Sequence, residues 1–151
     1  MTKKVLAFAL LISLVSSSYT IFAFGIGLQL NSDVSASLTF KTDQVPLIFA
    51  VQGSTEGFGI SGDYWVLNKT IMSEYPVKWF WGYGGYANLN LSDSSVGFAL
   101  GARLPIGINA SFADGFVEPY LQVVPSLGVS ISPFYLPDWG IPVSLGVRLW
   151  F

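Results

Sequence analysis

The chain has 151 residues, of which 52% are hydrophobic, 16% aromatic and only 11% charged, with a net charge of −2. Soluble domains carry about 25% charged residues, so this composition argues against an ordinary soluble globule. The slightly acidic balance argues against binding nucleic acid. There is neither His nor Cys. That removes Ser-His and Cys-His dyads, His- or Cys-based metal sites, disulfides and an acylated lipoprotein cysteine.

In chain order, Lys3 and Lys4 open a positive segment, and Val5 to Val15 is apolar apart from Ser13. Ser16 to Ser18 and Ile21-Phe22-Ala23 follow. This pattern reads as a secretory signal peptide over 1–23, cleaved after Ala23 and leaving one domain over 24–151. The apolar run is too short to span a bilayer as a helix, which takes about 20 residues.

Beyond it no apolar stretch suits a transmembrane helix. Short alternating runs predict eight strands: Phe24–Asn31, Val34–Lys41, Pro46–Gly53, Phe58–Leu67, Val77–Ala87, Ser95–Leu104, Phe116–Pro125 and Gly140–Phe151. Longer connections are expected at 68–76, 105–115 and 126–139. Lipid satisfies no backbone polar group, so with helices excluded an apolar-surfaced protein of strands has to close on itself. The expected fold class is all-β, an eight-stranded antiparallel up-and-down transmembrane β-barrel. Strand prolines at Pro119, Pro125 and Pro142 each remove a ladder donor and are places where its wall loosens.

Side chains alternate between the faces of a strand, so the runs also assign sides. Phe24, Ile26, Leu28 and Leu30 oppose Gly25, Gly27 and Gln29, and Val96, Phe98, Leu100 and Leu104 oppose Gly97, Ala99, Gly101 and Arg103. The apolar face is expected outside, with Gly, Ala, Ser and a few charges filling a narrow interior. Trp79, Trp81, Tyr83 and Trp139 are expected in aromatic girdles at headgroup depth. A soluble ligand-binding barrel would invert these faces.

The final segment alternates throughout: Ile141, Val143, Leu145, Val147, Leu149 and Phe151 are apolar, with Ser144, Gly146 and Arg148 between. It resembles the C-terminal strand of bacterial outer-membrane barrels, and the resemblance makes Phe151, Leu149 and Val147 a signal read by the barrel-assembly machinery. Phe24-Gly25-Ile26-Gly27, Gly62-Asp63-Tyr64-Trp65, the stretch Gly101 to Gly107, and Glu118-Pro119-Tyr120 extend the likeness. Together they resemble the small eight-stranded barrels of the outer membrane protein A transmembrane-domain type, including uncharacterised spirochaetal members. The outer loops expected here are shorter than in that plan, and two periplasmic turns are longer.

The chemistry on offer is ionic. Lys41, Asp63, Lys78, Arg103, Glu118 and Arg148 share the inward parity, which predicts an ion cluster in the lumen. Arg103, Glu118 and Arg148, from the sixth, seventh and eighth strands, are expected side by side, the carboxylate between two guanidiniums. Outward loops carry Asp33, Glu56, Asp93 and Asp138 without a basic residue. Gly82-Tyr83-Gly84-Gly85 has neither the spacing nor the lysine of a phosphate loop. The expectation is a non-enzymatic integral protein of the bacterial outer membrane with a structural or surface-interaction role. No cofactor is expected, and its partners are outer-membrane lipid and the assembly machinery. The alternative is a small pore or carrier for apolar compounds, like the outer membrane protein W type.

Overall fold

The computed structural model describes residues 23–71, 74–92, 95–131 and 134–151. The expected signal peptide, apart from Ala23, and Asp93 therefore lie outside the described residues. Eleven strands form: β1 (Phe24–Asn31), β2 (Ala36–Thr42), β3 (Leu47–Ser54), β4 (Gly57–Thr70), β5 (Val77–Ser92), β6 (Ser95–Arg103), β7 (Ile106–Ala110), β8 (Val117–Val123), β9 (Ser126–Ile131), β10 (Phe134–Gly140) and β11 (Val143–Trp150). Both β6 and β7 pair with β5, β7 pairs with β8, and β11 pairs with both β8 and β1. The sheet thereby closes into an antiparallel barrel of eight staves. The sixth, seventh and eighth staves are each two strands in line, β6–β7, β8–β9 and β10–β11.

Prolines explain the three divisions. Gly82 N–H donates to Pro105 O, Leu104 N–H to Pro125 O and Val124 N–H to Pro142 O. A proline returns no donor, so each pair loses its reciprocal bond, yet the register continues unchanged on either side. Ladder bonds are thus lost at Pro125 and Pro142, whereas Pro119 stays within β8, opposite Val147. The connections expected at 105–115 and 126–139 are corrected accordingly. The first contains β7 in its leading half, and the second is mostly the β9–β10 hairpin. Pro105 and the stretch Pro125 to Ser130 read as breakers in the sequence, but neighbouring ladders hold them extended.

Burial is inverted relative to a soluble protein. Along β2 and β11 apolar side chains are exposed, while Thr39, Lys41, Ser144 and Arg148 are buried. Leu28 is 67% and Leu145 is 61% exposed, against 1% for Arg148. The arrangement with apolar residues inside does not form. Where bulky residues do point inward, glycines admit them. A Cβ on Gly146 would run into the Tyr120 ring, and one on Gly25 into the Arg148 side chain.

Stagger between staves decides which inward residues meet. From Lys41 one rung runs through Ile48, Asp63, Gly84 and Arg103 to Ser126 on the seventh stave. The other way round, from Lys41 through Gly25 and Trp150, it reaches Phe116 on that same stave, ten residues from Ser126. A rung is therefore a spiral rather than a circle, as in any tilted-strand barrel.

Candidate functional site: two ion clusters in the lumen

The first cluster seals the half of the lumen nearest Phe24 and Phe151. Glu118, on β8, faces Arg148, its register partner on β11. Arg148 Nη1 lies 3.0 Å and Lys41 Nζ 3.1 Å from Glu118 Oε1. Asn109 Nδ2 donates to the same oxygen at 2.9 Å, and the Trp150 indole N–H donates to Oε2. Glu118 itself is 3% exposed. A carboxylate so far from water persists only with charge partners and donors of this kind.

Aromatic rings complete the seal. The Lys41 ammonium sits 3.9 Å from the Trp65 ring centroid, and Trp65 stacks on Phe80 with centroids 3.7 Å apart. Arg148 lies over Tyr120 with its Cζ 4.6 Å from the ring. Cations over aromatic faces gain from the ring quadrupole, more so when desolvated. A polar layer comes next: Tyr120 OH donates to Gln29 Oε1 at 3.0 Å, and Gln122 Nε2 donates to it at 3.2 Å.

The second cluster is a pair. Arg103 Nε lies 3.0 Å from Asp63 Oδ1. The two atoms meet as charges, off the line of a hydrogen bond, since neither has a hydrogen-bond partner. The expected side-by-side grouping of Arg103 with Glu118 and Arg148 is corrected here. Arg103 faces Ser126 on the seventh stave, eight residues from Glu118, or about 26 Å along the strand. A sixth strand that ends at Leu104, as the sequence predicts, places Arg103 near a strand end. With β7 in line, it lies mid-stave. Lys41 takes the second cationic place beside Glu118. Lys78 lies on the inner side of β5 and forms no salt bridge among the described residues.

Above the Asp63–Arg103 pair the lumen widens into a vestibule of about 490 Å³, bounded by Asp33, Gln52, Asn88, Ser126 and Asp138 among others. Asn109, Trp150 and Tyr120 were not among the expected cluster. Trp150 and Tyr120 were findable, since Trp150 shares the parity of Arg148 and Tyr120 that of Glu118. Asn109 lies in β7, which the sequence pattern after Pro105 predicts to be a loop.

On the outer wall, Trp79, Trp81 and Tyr83 are exposed along β5, with Tyr83 against Tyr64 at 5.8 Å between centroids. Trp139 is exposed on β10, toward the other rim. Phe151 contacts Phe24 and Phe116, each at 5.7 Å, and Val147 and Leu149 lie on the outward face of β11. No group of His, Cys, Asp and Glu side chains with metal-site geometry occurs among the described residues.

No family model matches the sequence, and no curated protein matches it. Among solved structures the chain is similar to the crystal structure of Neisserial surface protein A (NspA), with 17% identity and a TM-score of 0.46, over 86% of this chain and 94% of that one.

Proposed function

We propose that this chain is an integral β-barrel protein of the bacterial outer membrane with a non-catalytic structural or surface-interaction role, its lumen closed rather than conducting. One observation carries the reading: a continuous apolar exterior surrounds an interior that holds the charges and amides. Monomeric soluble proteins rarely expose contiguous apolar patches beyond a few hundred Å², whereas lipid is the medium such a wall fits. Phe24, Phe116 and Phe151 would mark the periplasmic interface and Trp139 the opposite one. The outward face of β11, with Val147, Leu149 and Phe151, is the segment offered to the barrel-assembly machinery.

The Glu118 cluster supports a closed lumen, because Trp65, Phe80, Tyr120 and Arg148 fill the cross-section there. That packing disfavours a through-pore for apolar compounds. The test is fractionation with alkaline carbonate together with gel mobility that changes on heating. Retention in the outer-membrane fraction and a heat-sensitive band are expected, and release as a soluble periplasmic protein would sink the reading. In planar bilayers no steady conductance is expected.

A further inference from the structure

The turn tips at the vestibule end follow one rung almost throughout. Asn31 bonds Ser35, Ser54 pairs with Gly57, Gly57 with Asn90, and Asn90 with Gly97. Because a rung spirals, a rim cut along it climbs from the first stave to the eighth and then drops abruptly at the seam. β1 ends at Asn31, one residue past the Leu30–Leu145 pair, opposite Ser144. The eighth stave runs ten residues further, to Phe134, or roughly 20 Å more wall at a tilt near 45°. Among the described residues β10 pairs only with β9, so its seam-side edge has no strand beside it. The barrel is notched there.

The vestibule opens through this notch. Its lining includes inward residues such as Asn88, Arg103 and Asp138 together with Trp139 and Ile141, which face outward and are exposed. The cavity runs along Asp138 to Pro142 of the eighth stave, beside the open seam. The low lip is the β1–β2 turn, which carries Asp33 and, at 89% exposure, Val34. Asp33 accepts from the backbone and hydroxyl of Ser35 and from Gln52 Nε2, but neither it nor Asp138 has a cationic partner among the described residues, and Arg103 is already matched by Asp63. The notch therefore presents two carboxylates without a cation to whatever enters, with Asn88 beside them.

Given the outer-membrane reading above, on which this inference rests, we propose that the seam notch is a binding site for a membrane amphiphile with an amine-bearing head. The head enters between Asp33 and Asp138, where carboxylates accept from an ammonium and repel a bare phosphate or sulfate. The tail stays outside, along Leu30, Ile141 and Val143, where the wall is apolar. Beside lipid the open edge of β10 needs a polar partner, and an amine-bearing head can donate to its free carbonyls.

The absence of cysteine allows a single bimane label at Ser126→Cys, inside the vestibule, on the full chain refolded into phosphatidylcholine vesicles. Dodecylamine is expected to give a saturable emission change, weakened at least ten-fold in the Asp33→Asn/Asp138→Asn double variant. Dodecanol, dodecyl sulfate and ethanolamine, each lacking one required part, should give none at the same concentration. A folded, inserted barrel with no saturable response to dodecylamine overturns the proposal. So does an equal response to dodecanol, or undiminished affinity in the double variant. A response to ethanolamine alone would make this a site for soluble amines and overturn the amphiphile. Failure to insert, seen as loss of the heat-sensitive band, would instead count against the outer-membrane reading.

Discussion

The two halves of the lumen treat their charges differently. Beside Phe24 and Phe151, one carboxylate is surrounded by two cations, an amide and an indole, with aromatic rings closing over them. Toward the vestibule, a single Arg103–Asp63 pair borders open space and carboxylates without cationic partners. Both halves come from the same alternating pattern. The difference is access to water: a charge that water cannot reach has to be matched by protein groups, and one beside a vestibule does not. On the reading proposed above, the matched half serves as a seal and the unmatched half as an entrance.

The sharpest break of that contrast is Glu118→Ala. It leaves Lys41 and Arg148 facing each other without an acid, and should cost about 3–5 kcal/mol in urea unfolding from lipid vesicles. Gly146→Val comes next, at about 1–3 kcal/mol, because its side chain meets the Tyr120 ring that caps the seal. Arg103→Ala should cost clearly less than Glu118→Ala, about 1–3 kcal/mol by the same measurement, since a lone buried carboxylate can take up a proton whereas the guanidinium that Glu118→Ala abandons cannot lose one. Equal losses for Glu118→Ala and Arg103→Ala would erase the distinction between the halves. Asp138→Asn should leave unfolding within about 0.5 kcal/mol of the parent, as should Lys69→Ala at the exposed end of β4. A large loss at Asp138 would mean that it supports the wall rather than lining an entrance.

Much of this was legible in order. The parity of β1, β2, β4 and β11 separated Leu28, Phe40 and Leu145 from Gln29, Lys41 and Arg148, because a strand has only two faces and this chain writes them differently. Glu118 beside Arg148 was also legible, since adjacent staves share a register that the last strand nearly dictates. Arg103 was misplaced for two reasons. Pro105 looks like a strand end, although a proline costs one ladder bond and not the strand. A sequence also shows positions along strands, whereas contact depends on the stagger between them.

By itself the sequence determined the all-β class, the number of staves and the side of the wall on which most residues lie, because these follow from a period of two and from the length of apolar runs. The tertiary structure alone decided which inward charges meet, that Lys41 rather than Arg103 completes the Glu118 cluster, and that the rim is notched at the seam. Those depend on the ten-residue offset gathered on going once around the barrel. That offset is a property of closure and is carried by no single strand.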